Sequence, residues 1–338
     1  MLIKIGIDLG TANTIVYLTN KGIVLNEPTV VAIDDLSRKI LAVGKDAKEM
    51  IGKTPGDIRI YRPLREGVIA DYQATLAILR YFLSKIKYPK FFKPLLIVSV
   101  PAGITSTERK AVVDASFEAG AGEVHPIREP ILAALGANLP INQPAGNMIV
   151  NLGGGTTEIS VISLGGIVAW NSIRIAGDRF DEAIKDYLRR KYNLAVGEKT
   201  SEQIKIQVGS VIPVRSNSGN NELMMQVNGI DILTGLPKAI KITGNDVAEA
   251  LQRDLREIIS GIKKVLANTP PELIADIMEK GIVLSGGGAL LRNLDTLIYQ
   301  HTGVPVLIAD DPLYAVARGT GRILEQIDVY RRIIMSQK

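Results

Sequence analysis

The sequence predicts an α/β protein with mixed sheets, and three observations predict it. A hairpin-like segment occurs twice, and apolar strand-like runs alternate with helical stretches. A chain of 338 residues, 46% hydrophobic and 22% charged, is long enough for two domains and a large buried core. The duplication is the most specific of the three. IGIDLGTANTIVYLTNKG, from Ile5 to Gly22, returns without a gap as MIVNLGGGTTEISVISLG, from Met148 to Gly165. In that register Asp8 meets Asn151, Leu9 meets Leu152, Gly10 meets Gly153 and Thr14 meets Thr157.

Each copy reads as an apolar strand, a tight glycine turn carrying hydroxyl or amide side chains, and a second apolar strand. Glycine lets backbone N–H groups approach an anion closely, and Thr or Asn side chains add donors, so two such turns face to face form a two-jawed phosphate clamp. Asp8, beside the first turn, suits the water shell of a Mg²⁺ ion that bridges phosphates. The run LLIVSVP, Leu95 to Pro101, reads as a buried strand, and STERKAVVDASFEAGA, Ser106 to Ala121, as a helix. Ser106 begins a loose capping pattern, with Glu108 and Arg109 close behind but no Glu or Gln three residues on.

REPILAALGAN, Arg128 to Asn138, reads as a helix with Pro130 in its first turn and small residues that suit close packing across a hinge. Its Glu129 is open to two readings, a carboxylate that orients an attacking water or an exposed first-turn acid favoured by the helix dipole. After the second copy of the hairpin come helical stretches at Asp178 to Tyr192 and Gly244 to Asn268. Between them VRSNSGNNE, Val214 to Glu222, reads as a surface loop of an outer subdomain. A third glycine turn, SGGGALLRNL from Ser285 to Leu294, follows the strand GIVL and opens a helix, presenting free N–H groups to an anion or a ribose.

Composition removes several chemistries. There are no cysteines, hence no disulfides, iron–sulfur clusters or thiolate zinc sites. The two histidines, His125 and His301, are too few and too far apart in sequence for a histidine metal cluster or a His-based triad. Neither the GxxxxGK[ST] P-loop nor a GxGxxG turn after the first strand is present, so a nucleotide must be held another way. A net charge of +5 without a nucleic-acid motif leaves no nucleic-acid partner expected. The start, MLIKIGIDLG, enters a strand at once and lacks a signal-peptide pattern, and no apolar run is long enough to span a bilayer, so a soluble or peripheral protein is expected.

DLGTANT, NLGGGTTE, REPILAALGA, the GLPK segment at Gly235, TPPEL at Thr269, GIVLSGGGALLRNLD and DPLYAVARGTGRILE together resemble the MreB family of bacterial actins, in the same order from Leu2 to about Asp328. The resemblance implies an actin-like, ribonuclease H-like duplicated fold, with two domains that each carry a large and a small subdomain around a nucleotide cleft. The implied division is 1–32, 66–145 and 306–338 for subdomain IA, 33–65 for IB, 146–180 and 243–305 for IIA, and 181–242 for IIB. It further implies ATP and Mg²⁺ as ligands, ATP hydrolysis, and self-assembly into membrane-bound filaments, a homopolymer of paired protofilaments. Such filaments direct lateral wall synthesis with the elongation machinery and membrane adaptor proteins, on the cytoplasmic face of the plasma membrane.

Residue by residue, Asp8 resembles the metal-organising acid, acting through water, and Thr11, Ala12 and Asn13 the first phosphate turn. Gly154, Gly155, Thr156 and Thr157 resemble the second turn, with Thr157 beside the terminal phosphate and Glu129 as the water-positioning glutamate. Glu202, Gln203, Ile204 and Lys205, with Gly286, Gly287, Gly288 and Ala289, resemble the adenosine pocket. Two positions depart from the family. Asn151 replaces an acid and can hold the metal's water shell only weakly, which predicts bound ATP with slowed hydrolysis; Arg128 replaces a second glutamate beside Glu129. A hydrolysis-poor static scaffold filament and a small-molecule kinase of the same superfamily are the competing readings.

KIKYPKFFKP, Lys85 to Pro94, sets Phe91 and Phe92 among Lys85, Lys87, Lys90 and Lys93. Aromatic rings ringed by lysines suit a peripheral anchor on an anionic membrane, the alternative being a buried aromatic pair. The family resemblance includes a hydrophobic insertion loop at this place. Some relatives add an N-terminal amphipathic helix; here the loop is expected to carry the contact, multiplied by assembly.

Overall fold

The computed structural model describes residues 3–88, 92–213 and 223–336. The expected surface loop Val214 to Glu222 and the ring of Phe91 lie outside these residues. Two five-stranded sheets of the same topology form the frame. In the first, the order is Glu123–Arg128, Leu95–Val100, Lys4–Leu9, Asn13–Leu18, Gly22–Pro28; in the second it is Val306–Ile308, Ile282–Ser285, Asn147–Leu152, Thr157–Ser163, Gly166–Ile173. Each sheet has three parallel strands followed by an antiparallel meander. The duplicated segment supplies the same hairpin to both, with Leu9 opposite Thr14 in one and Leu152 opposite Thr157 in the other.

Strand periodicity decides which way the key side chains point. Ile5, Ile7 and Leu9 enter one core with Phe82 and Ile78, while Met148, Val150 and Leu152 enter another with Ile258 and Ile262. Alternation then turns Asp8 and Asn151 to the opposite faces of their sheets, toward the middle of the molecule. There a third core of Ile97, Ile149, Ile131, Leu132, Val316 and Ile323 joins the two sheets.

A smaller three-stranded sheet accompanies each large one: Ile40–Val43, Val31–Asp34 and Ile58–Tyr61 in the first half, and Leu194–Ala195, Met224–Asp231 and Pro237–Thr243 in the second. Two expected boundaries cut through this pairing. Val31–Asp34 straddles the implied break at 32/33, and Val306–Ile308 hydrogen-bonds into the second large sheet although the resemblance puts 306 onward in subdomain IA. The reason is that a short strand, central or at an edge, is fixed by its pairing partners, which local sequence does not reveal.

The helices begin where side chains satisfy their free N–H groups. Ser106–Glu118 is capped one residue earlier than the sequence pattern suggests: Thr105 Oγ1 accepts from the Glu108 N–H, and Glu108 accepts in return from the Thr105 N–H at 2.9 Å. Thr243 and Asp246 make the same reciprocal cap for Gly244–Ala267. Among the described residues no helix is long and apolar enough to cross a membrane.

The hinge helix, Glu129–Gly136, is buried along its whole length and packs on Ala315–Glu325. Two glycines permit the approach. A Cβ on Gly136 would lie 1.7 Å from the Ala315 carbonyl oxygen, and one on Gly319 would lie 1.9 Å from that of Leu132. Gly136→Ala is therefore expected to destabilise the protein by about 1–3 kcal/mol, the usual cost of overpacking. Gly56→Ala, where a Cβ meets nothing within 4 Å, is expected to change stability by less than about 0.5 kcal/mol; urea unfolding of both variants checks the contrast.

Candidate functional site

The two glycine turns meet between the sheets. A Cβ on Gly154 would lie 2.5 Å from that of Ala12, and one on Gly155 would lie 2.7 Å from Thr11 Oγ1. Below them opens a cavity of about 370 Å³ lined by Asp8, Ala12, Asn13, Glu129, Asn151 and Gly154, and by parts of the third glycine turn. Thr11 and Gly155 instead line an adjoining cavity of about 420 Å³. Thr156 is buried and contributes its carbonyl oxygen, which accepts from the Gly153 N–H at 2.9 Å to close the second turn.

Thr157, which the resemblance sets beside the terminal phosphate, does not line either cavity. It is fully buried, and its hydroxyl donates to the Ile175 carbonyl at 2.6 Å. It braces the turn, as its counterpart Thr14 does by sharing a hydrogen bond of 2.9 Å with the Thr29 hydroxyl.

The third turn packs directly on the second hairpin. Gly286 has φ +81°, and a Cβ there would lie 2.2 Å from the Leu152 carbonyl oxygen, so both its conformation and its surroundings require glycine. Gly286, Gly287 and Gly288 line the cavity, whereas Ala289 is buried in the core behind it. The helix Glu198–Val208 presents Glu202, Lys205 and Ile206 to the cavity. Gln203 and Ile204, expected with them, face elsewhere: Ile204 is in the core and Gln203 is exposed. Lys205 and Ile206, three and four residues beyond Glu202, lie on its side of the helix, whereas Gln203 and Ile204, one and two residues beyond it, are turned away. Lys205 is held by its ammonium, which donates at 2.8 Å to both the Gly177 carbonyl and Asp181.

Acidic groups concentrate at one end of the cavity. Asp8 accepts from the Ser99 hydroxyl at 2.9 Å, and burial pushes its carboxyl up to about 7. Glu129 is only 9% exposed, which removes the reading as a solvated first-turn acid. Burial raises its carboxyl well above the ordinary range, the Asp8 and Glu158 carboxylates raise it further, and a hydrogen bond with the Asn151 side chain opposes them. Asn151 in turn accepts from the Ser285 hydroxyl at 3.0 Å through its carbonyl oxygen. Arg128 is exposed and stands near Arg109, whose guanidinium it depresses after burial; the charges that act most on Glu129 are the two acids.

Glu158 was not singled out from the sequence. It sits directly opposite Asn151 in the hairpin and is fully buried, accepting from the Ser172 hydroxyl at 2.6 Å and the Ala102 N–H at 3.3 Å. Its signal in the sequence is that it is the one charged residue in the strand TEISVIS. Asp178, Asp181, Phe180 and Leu313 also line the cavity without having been expected there. On the surface, Phe92 is exposed, with exposed Lys87 and Lys93 nearby in sequence.

The family model for MreB/Mbl protein matches residues 2–332. The chain belongs to the MreB/Mbl family. It is 49% identical to the cell shape-determining protein Mbl of Bacillus cereus over 325 residues, covering 96% of each chain. It is 46% identical to the cell shape-determining protein MreB of Escherichia coli K12 over 340 residues, covering 99% of this chain and 96% of the other. The crystal structure of MreB5 of Spiroplasma citri bound to ADP superposes with a TM-score of 0.92 at 39% identity, covering 98% of this chain and 99% of that one. The MamK double helical filament, at 22% identity and a TM-score of 0.80, shares the fold. The fold of this family member is thus actin-like, as the resemblance implied.

The buried Asp8 carries a stability cost. Its folded pKa of about 7 lies above the ordinary 3.8, so between these values the folded protein holds a proton that the unfolded chain releases. Stability contributed at this residue falls as pH rises through that window and levels off above it. Nucleotide-free Asp8→Asn, which keeps an acceptor for Ser99, is expected to gain on the order of 3 kcal/mol over the parent at pH 8 and little at pH 4. Denaturant unfolding at the two pH values measures the difference.

Proposed function

We propose that this protein is an ATP-dependent, membrane-associated actin-like filament protein that determines cell shape by organising lateral cell-wall synthesis. The observation that carries the reading is the pair of matched glycine turns in contact above one cavity, with Asp8 and Glu129 buried at its acidic end. Relatives support it: Mbl and MreB are named as cell shape-determining proteins, and MreB5 has been solved bound to ADP and to AMPPNP. The proposed assembly is a homopolymer of paired protofilaments on the cytoplasmic face of the plasma membrane, working with wall-elongation and adaptor proteins. Phe92 and its lysine neighbours offer a membrane contact for it.

Within the cavity, the phosphates belong between Ala12–Asn13 and Gly154, and the adenosine between Glu202, Lys205, Ile206 and the Gly286–Gly288 turn. The residues also fit Mg²⁺ held mainly by phosphates and water. Asp8 is a single acid at the first turn, and among the described residues no three His, Cys, Asp or Glu side chains are grouped to hold a metal directly. Bound there, Mg²⁺ supplies positive charge that offsets the charge of the phosphates. Glu129 is the proposed water-orienting carboxylate, and the Asn151 amide fixes it by hydrogen bonding. The neutral Asn151 favours a second reading, a static scaffold filament that binds ATP and hydrolyses it slowly.

Electron microscopy on anionic liposomes tests the main reading: membrane-bound filaments are expected with Mg-ATP and absent without nucleotide. ATP binding with no filaments on either sample counts against it. Glu129→Gln is expected to lower phosphate release about 100-fold or more while ATP still binds. Asn151→Asp is expected to speed phosphate release several-fold, and an unchanged rate would reject the role given to the amide.

A further inference from the structure

Three basic side chains make ion pairs that join the two halves of the molecule away from the hinge. Lys48, in the short helix Lys45–Glu49 beside the first small sheet, places Nζ 2.9 Å from a carboxylate oxygen of Glu202. Arg62, just after Ile58–Tyr61, ion-pairs with Glu198 and lies 3.6 Å from Asp178. Arg174, after Gly166–Ile173, meets Glu66 at 2.8 Å. Every pair has one member in each half.

Their placement ties them to the site. Glu202 and Asp178 line the main cavity, while Arg62, Glu66, Arg174 and Glu198 line the adjoining one that reaches Thr11 and Gly155. The opposite side of the molecule is closed differently, by the packed backbones at Gly136 and Gly319 and the apolar core around them. One side is therefore dry, apolar and rigid, and the other is polar and partly exposed, with Arg62 at 28% and Lys48 at 34%. Ion pairs in such positions are individually weak and screened by salt, so they can be broken and remade without unfolding either half.

We propose that these pairs form a latch that sets the rate of nucleotide exchange. While they are made, the halves stay closed over the cavity; when they break, the halves part about the hinge helices and the nucleotide leaves. The inference rests on the nucleotide-binding reading above and is independent of hydrolysis.

The test uses a fluorescent ADP analogue preloaded on the full-length protein and chased with unlabelled ADP in stopped flow. Lys48→Ala/Arg62→Ala is expected to release it about five- to thirtyfold faster, the range that three partly exposed ion pairs support. Raising NaCl from about 50 to 500 mM is expected to speed release from the parent more than from the double variant, which keeps only the Arg174–Glu66 pair. Glu198→Gln, which breaks the Arg62 pair from the other side, is expected to give an intermediate rate. Because the chain has no cysteine, spin labels on Lys53→Cys and Leu233→Cys report the separation of the two small sheets, which is expected to lengthen and broaden in the double variant. Unchanged release and unchanged separation in both latch variants overturn the latch. Failure of the parent to bind the analogue overturns instead the reading on which it rests.

Discussion

Gly154 against Ala12, and Gly155 against Thr11, bring two hairpins from different sheets into contact, and the site depends on that approach. A side chain on either glycine would separate the turns, because the space a Cβ needs is already filled. The rest of the architecture holds this contact in place. Each turn is braced from behind by a threonine, Thr14 through Thr29 and Thr157 through the Ile175 carbonyl. Strand alternation buries the apolar side of each hairpin in its own core, leaving Asp8 and Asn151 to face the centre.

That geometry concentrates charge where water is scarce. Asp8, Glu129 and Glu158 are all buried, and all are raised by desolvation. A fourth carboxylate at position 151 would add to the repulsion, whereas the amide relieves it by hydrogen-bonding Glu129 on one side and Ser285 on the other. Stability and chemistry pull in opposite directions here: the amide eases the crowding of acids and gives up an anionic group that would favour a bound cation.

The two ways of joining the halves differ in kind. At the hinge, helix backbones meet through glycines, and apolar side chains from both sheets share one core. At the opposite side, charged side chains meet across partly solvated space. Close packing resists sliding because each displacement loses many small contacts at once. Partly exposed ion pairs exchange with water at little net cost. A molecule joined in these two ways has a built-in direction in which it can open.

Much of this was legible in the chain because it rests on local pattern. The repeat and its glycines specified the paired hairpins, and Pro130 with the small residues after it marked the hinge helix. Asp8, Asn13, Glu129 and Gly286 to Gly288 were all read as site residues and all line one cavity. Other features were decided by partners distant in sequence. Gln203 and Ile204 belong to the expected tetrapeptide, yet helix geometry turns only Glu202 and Lys205 to the cavity. Thr157 sits in the expected turn, but the Ile175 carbonyl claims its hydroxyl. Glu158 becomes part of the acidic cluster only because strand pairing sets it opposite Asn151 and the approach of the two halves brings the Ala102 N–H, just after Leu95–Val100, to its carboxylate. The sequence by itself determined the repeat, the turns and the family, since these depend on residue type and spacing along the chain. Only the tertiary structure decided burial, the raised carboxyls and the contacts between the halves, since those depend on which surfaces meet.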